Sequence, residues 1–198
     1  MLVMSEIVNH VPEALFIVLG ATHPNQVHRH QETYRHRLEQ LVSDLGMERH
    51  VVFQDLFVSQ EQLCDYMAAA DVYVMPYACA EQVTSGTLSY ALGTGCAIVS
   101  TPYWYAQELL GDGCGILLPS FADASILADI LVSLLNDPVK KKRLQRKAYN
   151  KGRKMIWPVA GQAYSNLFDE VKGGWPSPVL SQPPAWIERD TGLVSFAL

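Results

Sequence analysis

Short apolar runs alternate with amphipathic stretches along most of this chain. The run Leu15–Leu19 is continuous and closes at Gly20, which is typical of a strand covered on both faces. Comparable runs predict further strands at residues 51–53, 72–75, 97–100 and 115–118. Apolar residues at helical spacing predict helices near residues 3–11, 34–45, 61–70, 84–92, 105–110, 125–135, 139–155 and 159–171. Such alternation predicts an α/β fold of Rossmann-like type, an open parallel sheet with right-handed crossovers and helices on both faces.

This regular pattern ends at Gly173. The residues after it are rich in proline and tryptophan and show neither a helical nor a strand period, which is typical of a linker or a docking strap. We therefore expect one folded domain over residues 1–172, long enough for a sizeable core, and a Pro-rich segment over residues 173–198.

Polar groups cluster where the strand at residues 72–75 ends. A loop holding Glu81 follows that strand, and Thr84-Ser85-Gly86-Thr87 then opens a helix. In an open parallel sheet the loops after the strands share one edge, where ligands bind. A helix start presents free N–H groups to an anion, so Ser85, Gly86 and Thr87 are candidate ligand contacts. The alternative is that Ser85 only caps the helix.

Further groups are expected at the same edge. The loop Gly20–Pro24 follows the first strand, so His23 is a candidate contact to a phosphate or a sugar, with simple turn chemistry as the alternative. The rings of Tyr103-Trp-Tyr105 either stack on a sugar or pack locally. Glu108 is expected in the first turn of the next helix, where a carboxylate either meets a ligand or only complements the helix dipole.

Charge and hydropathy narrow the classes of partner. The net charge of −5 disfavours nucleic acid, because neutralising phosphates needs a basic surface. No apolar run approaches the roughly 20 residues that cross a bilayer. The first residues lack the charged region and the cleavage site of a secretion signal.

The cysteines indicate a reducing compartment. They form no C-x-x-C pair and lie in or beside apolar segments, as expected of buried free thiols. We therefore expect a cytoplasmic protein. The four are Cys64, Cys79, Cys96 and Cys114.

One basic run, Lys140–Arg143 with Arg146 and Lys147, lies in a predicted helix. A solvated helix face is the main interpretation, because charge runs usually face water. Contact with a membrane surface is the sharper alternative.

Motifs for metals and for common cofactors are not found. His28, His30 and His36 fit neither the H-E-x-x-H nor the C-x-x-C type of site, so no metal site is predicted. The sequence also lacks the G-x-G-x-x-G motif of dehydrogenases, the Walker loop of NTPases and the G-x-S-x-G motif of esterases, so no motif supports these three functions.

The order of elements from Asp71 to Leu110 resembles the nucleotide-sugar-binding half of the retaining glycosyltransferases of family 4. These enzymes have the GT-B architecture, which consists of two Rossmann-like domains. The likeness covers roughly residues 14–171 and depends on ordered agreement rather than on a single motif. The matching positions, in chain order, are the strand Asp71–Pro76, Glu81, the helix end Ala91–Gly95, the strand Ala97–Thr101 and Glu108.

The resemblance implies transfer of a hexose from a nucleotide sugar to a carbohydrate acceptor with retention, and no cofactor or metal beyond the donor substrate. It makes Glu81 the catalytic residue that holds the donor's sugar hydroxyls, and the helix start at Ser85–Thr87 the group that stabilises the departing diphosphate. Family members have a second glutamate, eight residues after the first, that binds the nucleotide ribose. This chain has Ser89 there.

The resemblance also bears on both ends of the chain. In the family, a strand and a loop with an Arg and a Lys that hold the diphosphate open this half, after an N-terminal acceptor-binding domain. By resemblance this chain starts inside the following helix, without that first strand. Glu188–Leu193 is similar to the opening of a helical domain that follows the transferase in some relatives. We therefore expect an internal piece of a larger enzyme, inactive alone, whose open sheet edge favours self-association.

Two other classes of function stay open. A non-catalytic sugar- or nucleotide-binding module, or a degenerate transferase kept for protein interaction, is favoured by Ser89 and by the absent Arg/Lys loop. A phosphorylase or a sugar-phosphate epimerase of the same architecture is the other, because fold alone does not separate these activities.

Overall fold

A computed structural model describes residues 2–21, 32–121 and 123–174 of the chain. The chain divides into two compact units, residues 1–156 and residues 157–198. The helices of the described residues are α1 Leu2–His10, α2 Thr33–Asp44, α3 Gln60–Ala69, α4 Gly86–Thr94, α5 Trp104–Leu110, α6 Ala124–Asn136, α7 Pro138–Gly152 and α8 Trp157–Gly174.

The strand pairs that the structure describes in the first unit are all parallel. Strand β1 (Phe16–Leu19) pairs with β2 (Val51–Gln54), and β4 (Ala97–Ser100) lies between β3 (Val72–Met75) and β5 (Ile116–Leu117). The predicted α/β class with parallel strands and intervening helices is confirmed. The described strands form a two-stranded sheet, β1–β2, and a three-stranded sheet, β3–β4–β5.

Helices cover both faces of the three-stranded sheet. Alternate residues of β3 show this arrangement: Val72 and Val74 pack against one hydrophobic cluster, whereas Tyr73 and Met75 belong to the other. The first cluster contains buried residues of α1 and α6, and the second contains those of α4 and α5. Every residue of β4 is buried, as expected for the central strand of a covered sheet.

Helix α4 lies against α7 at a very short distance. A Cβ built on Gly152 would approach the carbonyl oxygen of Leu92 to 2.7 Å and the Cα of Gly93 to 2.8 Å. Next to this point, the Arg153 guanidinium donates to the carbonyl oxygen of Gly93 at 3.0 Å. Helix α7 ends at this close approach, at Gly152, before the predicted boundary at residue 155.

An edge of β1 is unpaired among the described residues. The N–H of Phe16 donates to the carbonyl oxygen of His50 at 2.8 Å, and the N–H of Gly20 donates to that of Gln54 at 3.0 Å. The backbone polar groups of these two residues therefore face β2. Ile17 has the opposite backbone orientation, and 43% of its surface is exposed. An unpaired, uncharged strand edge favours pairing with another chain.

Helix α8, in the second unit, continues to Gly174 and exposes large apolar side chains along its length. Within the described parts of the chain, no helix combines the length and the apolar character that crossing a bilayer requires. The exposed apolar residues of α8 are Trp157, Val159, Tyr164, Leu167, Phe168 and Val171.

Gly152→Ala should destabilise the first unit. The added methyl group would meet backbone atoms of Leu92 and Gly93, which cannot rotate away, so the two helices must separate. We expect the free energy of unfolding, measured by urea denaturation, to fall by about 1–3 kcal/mol, as for other overpacked sites. Gly161→Ala in α8 is the matched control, because its new Cβ would meet nothing within 4 Å. An equal loss in both variants would contradict the close contact.

The open edge of β1 should make the chain self-associate. We expect light scattering coupled to size-exclusion chromatography to show species larger than a monomer, with a fraction that rises with concentration. Ile17→Lys should shift the population to monomer, because a charge on a strand edge opposes pairing. Val83→Lys, which changes a residue with 65% exposure in a loop, should not. A monodisperse wild-type monomer would rule out this edge as an interface.

Candidate functional site

The loop that follows β3 is fixed on the start of α5. The N–H of Trp104 donates to the carbonyl oxygen of Ala80 at 3.0 Å, and the N–H of Tyr105 donates to that of Gln82 at 3.2 Å. These are two of the N–H groups that a helix start leaves without intrahelical partners. Glu81 lies between the two bonded carbonyls, so its backbone position is set by the first turn of α5.

The Glu81 side chain is exposed at this point. No hydrogen bond or ion pair with another described residue engages its carboxylate. Since a carboxylate only accepts hydrogen bonds, it can receive them from hydroxyl groups of a ligand.

Ser85 caps α4, as the simpler interpretation of this serine predicted. Its Oγ accepts a hydrogen bond from the N–H of Leu88 at 3.3 Å, and only 6% of the residue is exposed. The cap moves the helix start to Gly86, two positions after the predicted start at Thr84. The Ser85 hydroxyl therefore stabilises the helix, and the first N–H groups of α4 remain the donors at this end.

Gly86, the first residue of α4, faces open space. A Cβ added there would meet nothing within 4 Å, and the residue is exposed. Its backbone has no positive φ, so the turn itself does not require a glycine. A ligand can therefore approach the backbone here more closely than it could approach any other residue type.

A layer of hydroxyl groups lies behind the start of α4. The Oγ1 of Thr87 lies 3.3 Å from the Oγ of Ser85. The hydroxyl of Tyr103, a fully buried residue, donates to the Sδ of Met75 at 3.6 Å. Burial raises the pKa of both Tyr73 and Tyr103 further above the ordinary value of a phenol, which is already neutral at neutral pH, so this layer carries no charge.

Ser89 connects α4 to α5. Its Oγ lies 3.0 Å from the hydroxyl of Tyr105 and donates to the carbonyl oxygen of Ser85 at 3.3 Å. Tyr105 thus contacts both the loop of Glu81 and helix α4. Its N–H is hydrogen-bonded to the loop, and its hydroxyl is hydrogen-bonded to Ser89 of α4. At this position the site offers a pair of neutral hydroxyl groups rather than a carboxylate.

The aromatic loop does not form a continuous stacking face. Tyr103 is buried and packs edge-on against Tyr77, with 5.2 Å between the ring centroids, so it belongs to the core. Tyr105 is half-buried and bonded to Ser89. Trp104, with 56% exposure, is the member of this trio that presents its ring to solvent.

Two other candidates differ from expectation. Helix α5 begins at Trp104, one residue earlier than predicted, which moves Glu108 beyond the first turn. Its exposed carboxylate therefore complements the helix dipole less than expected. His23 lies outside the described residues, as do His28 and His30 of the histidine-rich stretch. Among the residues described, no group of three metal-ligating side chains is assembled.

Arg35 is a residue of this edge that the sequence did not reveal. Its guanidinium donates to the carbonyl oxygen of Gly20 at 2.7 Å and pairs with Asp55 at 3.0 Å. Gly20 follows β1 and Asp55 follows β2, so one cation ties the carboxyl ends of both strands. A signal was present in the placement of Asp55 directly after a strand, but its partner lies far away in sequence.

The chain is similar in sequence to known glycosyltransferases. The family model described as "Glycosyl transferases group 1" matches residues 3–137. A D-inositol 3-phosphate glycosyltransferase of Corynebacterium efficiens is 25% identical over 169 residues, which are 85% of this chain and 38% of the relative. The chain therefore spans well under half the length of this relative.

Solved structures show the same fold. HepE of Anabaena in complex with UDP superposes with a TM-score of 0.68 at 19% identity, over 85% of this chain and 45% of HepE. The C-terminal domain of LpcC, a glycosyl transferase group 1 protein of Francisella tularensis, gives a TM-score of 0.61 at 19% identity, over 76% of this chain and 74% of that domain. The solved structures share the fold, and the family match over residues 3–137 identifies the chain as a member of the glycosyl transferases group 1 family.

Proposed function

We propose that this chain is the donor-binding domain, which forms one side of the cleft, of a retaining glycosyltransferase of family 4. The reaction moves a hexose from a nucleotide sugar to a carbohydrate acceptor in the cytoplasm, without a resident cofactor or metal. The observation that carries the proposal is the exposed, unengaged carboxylate of Glu81, which two backbone hydrogen bonds fix on the start of α5.

Transfer of the sugar from the nucleotide sugar places two requirements on the donor-binding domain. The departing diphosphate needs donors aimed at its developing charge, and the first N–H groups of α4, at Gly86 and Thr87, provide them together with the positive end of the helix dipole. The sugar needs to be held in place while its bond to the diphosphate breaks. The Glu81 carboxylate does this by accepting charge-assisted hydrogen bonds from the sugar hydroxyls.

The names of similar proteins support a nucleotide sugar as donor. HepE of Anabaena has been solved with UDP and with UDP-glucose, and sucrose-phosphate synthase of Thermosynechococcus elongatus shares the fold. Because the chain spans 45% of HepE, we assign the acceptor site and the closing of the cleft to a second domain. We therefore expect the 198-residue chain alone to bind a donor weakly and not to transfer it.

A second candidate is a non-catalytic module that binds sugars or nucleotides. It is favoured by the neutral pair of Ser89 and Tyr105, which stands where the family has a carboxylate for the ribose. The two candidates share the ligand, and they differ in whether Glu81 contributes to holding the sugar.

Glu81→Gln should selectively weaken binding of the sugar part. In isothermal titration we expect the affinity for UDP-glucose to fall about tenfold or more, the usual effect of a lost hydrogen bond to a charged group, while the affinity for UDP stays constant. The melting temperature should not change, because the side chain is exposed and makes no internal bond.

Glu13→Gln is the matched control, because it removes the same charge from an exposed position before β1. We expect it to bind UDP-glucose like the wild type. Unchanged binding of UDP-glucose by the Glu81 variant would remove this carboxylate from the site. An equal loss for UDP and UDP-glucose would assign it to the nucleotide instead.

Gly86→Val should weaken UDP and UDP-glucose to the same extent. The new side chain would fill the open space through which a phosphate reaches the first N–H groups of α4. Circular dichroism should stay close to that of the wild type, since the added carbon atoms meet no protein atom near the Cβ.

Ser85→Ala gives the opposite pattern and serves as the control. It removes the cap of α4, which should lower stability by about 1 kcal/mol, but it leaves the backbone donors in place. If the Gly86 variant bound UDP as well as the wild type did, the diphosphate would have to lie elsewhere.

A further inference from the structure

Helix α7 concentrates positive charge in an acidic protein. Its fifteen residues include no aspartate or glutamate, whereas the chain as a whole has a net charge of −5. The basic residues of the helix are Lys140, Lys141, Lys142, Arg143, Arg146, Lys147 and Lys151.

Three of these basic side chains form ion pairs or hydrogen bonds with other elements of the fold. Lys141 pairs with Asp71, and the Nζ of Lys140 donates to the Oγ of Ser133 at 2.9 Å. Lys151 pairs with Asp112 at 2.8 Å. Hydrogen bonds from Cys114 and Lys151 hold the pKa of Asp112 at about 2, below its ordinary value. These lysines fasten α7 to the domain.

Another three basic residues point outward. Lys142, Arg143 and Arg146 are exposed, and among the described residues they form no ion pair. With Val139 they recur at spacings of three and four, which places them on one face of α7. They line a shallow depression of 420 Å³ together with Pro138. We call this set, Val139, Lys142, Arg143 and Arg146, the cationic patch.

The cationic patch combines charge with an exposed apolar side chain. Val139 is 78% exposed and lies next to Pro138 at the start of α7, so an apolar tip borders the three cations. Buried faces of α7 contact α4 and β4, which leaves the cationic patch on the outer side of the domain. Its chemistry fits a partner that offers closely spaced anions above an apolar layer.

We propose that the cationic patch docks the protein on an anionic lipid surface. Lipid phosphates would pair with the three cations, and Val139 would enter the boundary between the headgroups and the acyl chains. A nucleic acid would supply phosphates but would give the exposed Val139 no apolar environment. This proposal does not depend on the proposed transferase activity.

Vesicle sedimentation tests the proposal with the full 198-residue chain. Vesicles of phosphatidylcholine with 30 mol% phosphatidylglycerol (roughly one anionic lipid in three, enough for a strongly negative surface) are compared with pure phosphatidylcholine. We expect binding to the anionic vesicles alone, weakening as salt screens the charges. The triple variant Lys142→Gln, Arg143→Gln, Arg146→Gln should bind roughly a hundredfold less, from the usual contribution of each basic residue near such a surface.

A matched triple variant separates the cationic patch from net charge. Arg37→Gln, Arg49→Gln, Lys154→Gln removes the same three charges from exposed positions elsewhere in the first unit. It should bind anionic vesicles within a few-fold of the wild type, since only charges near the surface contribute. Equal losses in the two triple variants would overturn the proposal, as would wild-type binding to neutral vesicles or to neither kind.

A final variant distinguishes a membrane from a soluble polyanion. Val139→Ser should weaken binding to anionic vesicles several-fold and leave binding of inorganic polyphosphate unchanged, because only the bilayer offers an apolar layer. If polyphosphate bound as tightly as the vesicles and Val139→Ser affected neither, the cationic patch would be a general polyanion site and the lipid proposal would fail.

Discussion

The candidate site depends on two backbone hydrogen bonds, those that the first N–H groups of α5 donate to Ala80 and Gln82. A loop of ten residues between a strand and a helix would otherwise adopt many conformations, each at an entropic cost when a ligand selects one. Here the loop satisfies helix donors that would need partners in any case. The same two bonds therefore stabilise α5 and hold the backbone of Glu81 in place, so positioning this residue needs no separate backbone interaction.

The hydroxyl layer behind α4 complements that arrangement. The hydroxyls of Ser85 and Thr87 lie 3.3 Å apart, and burial raises the pKa of both Tyr73 and Tyr103 above the ordinary value. Among the described residues, every buried polar side-chain atom has a partner. A satisfied, uncharged layer is rigid and does not compete with the helix dipole for an anion. The positive end of α4 therefore faces outward without an acidic side chain directly behind it.

The sequence was a good guide wherever local chemistry determines structure. Apolar runs located β1 to β4 to within about one residue, since buried strands are made mainly of apolar residues. The cap at Ser85 was predictable because it needs only a serine and the N–H three residues later. That Tyr103 is buried while Trp104 is exposed was not predictable. The burial of Tyr103 depends on contacts with Tyr77 and Met75, which lie on another loop and on a strand. The clamp of Arg35 on Gly20 and Asp55 depends in the same way on residues that meet only after folding.

The close approach at Gly152 has a mechanical consequence. Where α7 meets α4, no side chain lies between the two backbones, and Gly95, with φ 75°, packs against Tyr149 of α7 just beyond that point. Helices separated by a layer of side chains can slide by changes of rotamer, but backbones in direct contact have no such freedom. The two helices therefore move as one rigid unit. A force on the outer face of α7 displaces α4 as a whole helix and is not absorbed by local rearrangement of side chains.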